Sequence, residues 1–380
     1  MDFGFSEEQE QWRKAVQRFV QRECPPEYAA ACDREGRPPT SAFRALATEG
    51  WLGVSLPEAA GGAGGDLVDL ATLLEELGRG CLDLALWAFR VIVYGGHTIL
   101  RFGTPAQQAR FVPAAARGDL SVAFGLTEPG SGSDAASLST TATRRGEAFV
   151  LRGQKMFTSG MDVSDVVLLV ARTDPAGPKH RGISCFLVDC KSPGITVQRL
   201  ETLGHRAIAT TAVFLDDVSV PEDRLLGALN GGWTVARSAL ELERLCLSAA
   251  RTGAAGAAFD DALAYAKTRE QFGQAIGKFQ AVSHKLADMQ VMLDVSRVLV
   301  YRFAWLLAAG KAGRRDAAVL KLYTAEAYRA IADHGMQILG GYGYMMESHM
   351  QRHFRDSRLA TIGGGTSEIQ RNIIAESLGL

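Results

Sequence analysis

The chain has 380 residues, a formal net charge of −1 and 47% hydrophobic side chains. That length exceeds one ordinary core and predicts two or three lobes, and the near-zero charge excludes a global field for nucleic acid or an anionic membrane surface. No run of about 18 apolar residues reads as a membrane span, and the six scattered cysteines and seven histidines show neither CxxC nor HExxH spacing. Structural disulfides and zinc are therefore not expected, and a reducing cytoplasm is the expected compartment.

The first third reads as helix. The start, MDFGFSEEQEQW, is acidic and amphipathic and lacks the basic-then-apolar layout of a secretory leader. Trp12, Val16 and Phe19 follow at helical spacing behind Ser6 as N-cap. A short helix ends at Gly50, and a glycine-rich loop covers 58–66. Helices follow in LVDLATLLEELGRG and LDLALWAFRVIVYGGHTILRFG, and another starts with Thr104 as N-cap and Pro105 at its first position. From 121 to about 220 the apolar runs shorten to strand length, separated by Gly, Pro, Asp and Ser, which predicts a small sandwich or barrel. After Pro221 helix returns over about 231–268, 279–309, 315–340 and 366–378. Val282, Leu286, Met289 and Leu293 form the stripe of a helical bundle. The expected domains are 1–120 (helical), 121–226 (β) and 227–380 (helical bundle).

Several stretches can carry chemistry. GLTEPGSGSD (125–134) offers exposed backbone N–H groups and hydroxyls able to surround a polar ring edge or a pyrophosphate, or is a plain loop. GQKMFTSG (153–160) places an aromatic beside two hydroxyls, which suits a flat heteroaromatic ligand; a strand end with one core Phe is the alternative. Arg269 and Gln271 sit in a turn before Gly273, which offers Arg269 to a phosphate or is a solvated helix end. Arg352, Arg355, Asp356 and Arg358 read as ion pairs on a helix surface. Within WTVARSALELERLCLSAA, Ala236, Leu240, Glu243 and Leu247 share one stripe, so Glu243 lies inside an apolar face. Glu241 lies off it and can pair with Arg237 and Arg244. A carboxylate among apolar side chains has a raised pKa and suits a general base near neutrality, unless a neighbouring helix neutralises it.

Over essentially its whole length the chain resembles the acyl-CoA dehydrogenase superfamily of flavoproteins. LTEPGSGSD, YAKTREQFGQAIGKFQ, QILGGYGY and RDSRLATIGGGTSEIQRNII match that family's signatures in order and spacing. The resemblance implies a mainly α fold with an N-terminal helical domain, a middle β-barrel or sandwich and a C-terminal four-helix bundle. It also implies FAD and a homotetramer. By the same resemblance Phe124, Leu126 and Thr127 line the flavin ring, with Ser133 near the phosphates. Phe157 stands in the place of the usual Trp, and Ser159 in that of the usual Thr near flavin N5. Arg269, Gln271, Phe272, Gln337 and Gly341 reach the FAD of a neighbouring subunit, and Thr366 and Glu368 approach its ADP part.

The family's usual catalytic Glu lies directly before the Gly-Thr of the last loop. Here that position is Gly364, and Gly363 precedes it. A minority, including isovaleryl-CoA dehydrogenases, carries the base on an earlier helix as Glu-Arg, which matches Glu243–Arg244. The resemblance thus implies Glu243 as base and the Gly364 N–H as a donor to the thioester carbonyl, with Arg244, Gly363 and Gly364 beside a branched or cyclic acyl group. The activity implied is FAD-dependent α,β-dehydrogenation of an acyl thioester on CoA, with an electron-transferring flavoprotein or oxygen as acceptor. Similarity to prolyl-carrier-protein oxidases keeps an acyl-carrier-protein substrate open, and a flavoprotein of this fold that does not dehydrogenate is the third reading. LGHRAIATT is a further departure, with Ile208 and Ala209 where the family has polar residues.

Overall fold

A computed structural model describes residues 4–380; residues 1–3, where the acidic N-terminal stretch begins, lie outside the described residues. Helix α1 (Glu7–Glu23) starts at Ser6, whose side chain and that of Gln9 close a capping box, and it buries Val16 and Phe19. Then come α2 (Pro26–Glu35), α3 (Thr40–Thr48), α4 (Leu67–Gly80) and α5 (Leu82–Arg90). Helix α5 does not run unchanged to 102, as its apolar pattern predicts. Residues Val91–Thr98 take π winding before α6 (Ile99–Phe102) resumes. The wider turn leaves Tyr94 buried against its neighbours, and such segments gather at functional sites. Helix α7 (Pro105–Ala116) has the predicted Thr104 cap, reciprocated by Gln107.

The middle of the chain forms β1 (Val122–Gly125), β2 (Thr141–Arg145), β3 (Ala148–Ser159), β4 (Val166–Arg172), β5 (Ile183–Asp189), β6 (Ile195–Leu200), β7 (Thr210–Pro221) and β8 (Leu225–Leu226). They make one mixed sheet in the order β6-β7-β3-β2-β4-β5-β8, with β1 parallel to β4. Strand β4 is apolar throughout because both of its faces are buried. Val167, Leu169 and Ala171 join Phe149, Leu151, Val213 and Leu215 in a core enclosed by strands. Val166, Leu168 and Val170 face the core shared with the helices.

The last part is α8 (Gly232–Thr268), a short hairpin of β9 (Glu270–Gln271) and β10 (Gln274–Ala275), α9 (Gln280–Ala308), α10 (Arg314–Leu339), α11 (His349–Ala360) and α12 (Ser367–Ser377). Leu286, Met289 and Leu293 of α9 are buried as the stripe predicts. Helix α8 is seated by backbone contact with α4. A Cβ on Gly78 would collide with the Ala250 carbonyl, and one on Gly253 with the Glu75 carbonyl. Two helices this close leave little freedom to α8, the helix that carries Glu243.

Two expectations are corrected. Arg355 and Asp356 of α11 are not part of a solvated surface set, although Arg358 is exposed. Asp356 is buried and accepts from the His205 N–H at 2.7 Å, and Arg355, largely buried, pairs with Asp33 at 2.5 Å. Helix α11 is covered by α2 and by the 201–209 segment, so its polar face had to find partners inside the protein. Glu241 forms neither of the ion pairs its spacing allows, to Arg237 or to Arg244, among the described residues. No helix among the described residues is long and apolar enough to cross a membrane.

Candidate active site

Glu243 sits on the inner face of α8, 8% exposed. Its Oε2 accepts a 2.6 Å hydrogen bond from the Tyr94 hydroxyl in the π segment. No cation lies within ion-pairing distance among the described residues. Burial raises its pKa, and the Tyr94 bond and the more distant Arg244, Arg251 and Lys321 oppose that rise. Its Oε1 faces the glycine loop, since a Cβ on Gly364 would lie 3.5 Å from it and 3.4 Å from Leu247 Cδ1. The position left without a carboxylate and the helix carboxylate therefore converge on one place.

The glycine loop is held from two sides. Gly364 and Gly365 have φ of +72° and +88°, the left-handed region that glycine enters without strain. Lys321, fully buried on α10, donates to the Gly365 carbonyl at 2.5 Å, and Gln370 Nε2 donates to the Gly365 and Gly364 carbonyls at 3.1 and 3.3 Å. The Gly364 N–H has no partner among the described residues and is free to donate. A Cβ on Gly363 would find ordinary contacts, the nearest at 3.7 Å, so there is room for a side chain that the chain does not place there. Arg244 is half-buried, with its Nε buried and unpartnered.

A second group of residues comes from the β domain. The ladder of β3 and β7 slips between Lys155/Val213 and Thr158/Thr211, and the extra residue puts Phe157 at φ +57°, 62% exposed. The Met156 N–H donates to the Thr127 carbonyl at 2.8 Å, which ties this bulge to the GLTEPGSGSD loop. The loop is anchored by a buried ion pair. Lys155 Nζ reaches Glu128 Oε1 at 2.6 Å and the Leu126 carbonyl at 3.1 Å, and Glu128 also accepts from Ser139 and Thr140. Phe124 is half-buried with its ring 5.0 Å from that of Tyr94, Leu126 is buried, Thr127 and Ser159 are half-buried, and Ser133 is exposed. Phe124, Leu126, Thr127, Phe157 and Ser159 are thus brought together by β1 and β3. Ile208 and Ala209 are buried, and the Ala209 carbonyl accepts from the Gly160 N–H, so these two apolar residues back the end of β3.

Arg269, Gln271 and Gly341 meet elsewhere, in a groove of 640 Å³ that Tyr265 and Tyr342 also line. Phe272 is 95% exposed beside it, and Gln337 is exposed near the end of α10. Thr366 caps α12 by accepting from the Ile369 N–H, and Glu368 is exposed in the first turn. Sequence reasoning missed Tyr94, Lys321, Gln370 and the Glu128–Lys155 pair. Lys321 carried the same signal that exposed Glu243: it falls on a buried stripe with Ala317, Ala325 and Tyr328. Tyr94 carried none, because π winding breaks the 3.6-residue period on which such a reading depends.

A buried, pKa-raised carboxylate faces a glycine whose backbone N–H is free, near strand ends that present an aromatic ring and hydroxyls. That combination defines an acid–base site adjoining the place for a flat redox cofactor. Family models of the acyl-CoA dehydrogenase N-terminal, middle and C-terminal domains match residues 6–119, 123–218 and 230–379. The chain is 37% identical to the mitochondrial short-chain specific acyl-CoA dehydrogenase of Bos taurus over 96% of this chain and 89% of that one. It is 34% identical to the caffeyl-CoA reductase-Etf complex subunit CarC of Acetobacterium woodii over 98% and 99%. The crystal structure of the prolyl acyl carrier protein oxidase AnaB superposes with a TM-score of 0.95 at 30% identity, covering 99% of this chain and 100% of that one.

The chain belongs to the acyl-CoA dehydrogenase family. It is an FAD-dependent oxidoreductase acting on the CH–CH bond of acyl thioesters. The residues present fit that cofactor. Among the described residues Thr158 Oγ1 and Ser131 Oγ are buried without partners, and the backbone at Gly130 and Gly132 is open, with nothing within 4 Å of where a Cβ would stand. FAD can supply acceptors to such groups, and its ring a partner for exposed Phe157.

Proposed function

We propose that the chain dehydrogenates an acyl thioester between its α and β carbons, with Glu243 as the base. The observation that carries this reading is the convergence of Glu243 Oε1 on Gly364. A thioester carbonyl accepting from the Gly364 N–H would hold its α-carbon beside that carboxylate. The N–H stabilises the negative charge that develops on the carbonyl oxygen as Glu243 takes the α-proton. Lys321 and Gln370, which hold the carbonyls of the loop, keep that N–H aimed. FAD, held by Phe124, Leu126, Thr127, Ser133, Phe157 and Ser159, supplies the hydride acceptor for the β-carbon. Arg269, Gln271, Phe272, Gln337 and Gly341, exposed in one chain, extend the cofactor site across a homotetramer interface, and Thr366 and Glu368 serve the ADP end. The proposed extents are 1–120 for the helical, 121–226 for the β and 227–380 for the bundle domain.

Coenzyme A is the carrier this reading favours, and the likeness to a prolyl acyl carrier protein oxidase supports a carrier-protein thioester as the second reading. An electron-transferring flavoprotein is the proposed oxidant, by analogy with the Etf-complexed relative. The free cysteines suit a cytoplasmic setting. The test is anaerobic mixing of the FAD-loaded protein with acyl-CoA and acyl-carrier-protein thioesters. Loss of oxidised-flavin absorbance with at least one of them is expected, and a flavin untouched by all of them sinks the proposal.

The convergence also makes a rescue feasible. In Glu243→Gln, adding Gly364→Glu is expected to restore about 1–10% of the lost rate of flavin reduction, within the range that a positioned general base contributes. The strain of a side chain at φ +72° limits the recovery. A double variant no faster than Glu243→Gln alone would show that the two positions do not serve the same proton.

A further inference from the structure

Arg90 ends α5 and is 4% exposed. Its Nε and Nη2 are buried and have no hydrogen-bond partner among the described residues. The guanidinium lies against the Gly160 backbone, where a Cβ would collide with it. Asp162 and Asp83 attract it from a distance, but neither pairs with it; Asp83 is committed to the His205 ring at 2.8 Å and to the Ala207 N–H at 3.1 Å. Burial pushes its pKa down to about 10, so it remains a cation at neutral pH. A guanidinium has five N–H donors in a fixed fork, and leaving them unmet in the interior is far costlier than an ordinary lost hydrogen bond.

Its placement says where the missing acceptor belongs. Arg90 precedes Tyr94 by four positions on one continuous helical run, and the Tyr94 hydroxyl is bonded to Glu243. At about 1.5 Å of rise per residue the two side chains start about 6 Å apart along the axis, roughly four or five bonds of an acyl chain. Arg244 and Arg251 also face Glu243 as cations, while burial pushes the pKa of Lys321 down to about 7. Glu243 alone leaves this surround short of negative charge.

We propose that Arg90 binds the far end of the acyl group, and that this end is a carboxylate: the substrate is a short dicarboxylic acid held as a monothioester, with about four to six carbons. The inference rests on Glu243 being the base. A planar carboxylate meets the guanidinium fork with two parallel hydrogen bonds. A protonated ring amine, as on a prolyl thioester, is repelled by the same group.

The test is the rate of anaerobic flavin reduction by succinyl-, glutaryl- and adipyl-CoA against butyryl-, valeryl- and hexanoyl-CoA. The comparison uses the FAD-loaded wild type, Arg90→Met and Arg90→Gln. In the wild type at least one carboxylated thioester is expected to exceed its neutral counterpart in the flavin-reduction rate constant divided by Kd. In both variants that ratio should fall about 30- to 100-fold, mainly through Kd, the size of a lost charged hydrogen bond. Arg90→Met removes an unpaired buried charge and should unfold at a temperature no lower than the wild type. Neutral thioesters handled as well as carboxylated ones, or equal losses on both classes in the variants, would overturn the proposal while leaving the dehydrogenase reading standing. Variants that fail to fold or to hold FAD would assign Arg90 a structural role and overturn it too. No reduction by any thioester overturns both.

Discussion

Replacing Glu243 by Gln is expected to leave a folded, FAD-binding protein whose flavin is reduced by acyl thioesters about 1,000-fold more slowly, within the range that a positioned general base contributes. Gln keeps the shape and can still meet the Tyr94 hydroxyl, so the loss isolates proton abstraction from packing. The same variant should gain stability at neutral and higher pH. Burial raises the Glu243 pKa above its ordinary 4.5, so above pH 4.5 the folded state holds a proton that the unfolded chain has released. The wild type therefore loses stability as pH rises through that window, and Gln does not. Thermal unfolding from pH 5 to pH 8 should show the gap between variant and wild type widening upward. Flavin bleaching at near wild-type rates in Glu243→Gln would remove this residue from the mechanism.

Lys155→Met is expected to have the largest effect on stability, about 3–5 kcal/mol, because it strands Glu128 as a buried, unpaired carboxylate. Both partners are almost fully buried, and burial alone would push the Glu128 pKa up. Lys155, Thr140 and Ser139 overcome that and hold it down at about 2. The pair also fixes the Leu126 carbonyl, so the loop that carries Leu126 and Thr127 should loosen and FAD should dissociate more readily. Adding Glu128→Leu removes the stranded charge and should recover part of the stability but not the FAD affinity, since the loop stays untethered. A Lys155→Met protein that unfolds at the wild-type temperature and retains FAD through dialysis would contradict this account.

The three-part layout and the anomaly of Glu243 were legible in the sequence for a local reason. Apolar residues at 3.6- or 2-residue spacing record which face of an element is buried, and that record does not depend on what covers the face. Glu243 stood out as a break in such a record, and Ser6 and Thr104 announced their helix starts by the groups they cap. Partners distant in the chain left no such trace. Tyr94 meets Glu243 across 149 positions, His205 meets Asp356 across 151, and the α11 charges looked solvated because nothing local says that α2 and the 201–209 segment cover them. Gly364 shows the division most plainly. The chain's resemblance to the family marks a carboxylate missing from TIGGGTSEIQ. That this glycine also takes a left-handed turn, that Lys321 and Gln370 hold its loop, and that its open side faces Glu243 are decided by tertiary packing, because an interior position takes its chemistry from whichever elements close over it.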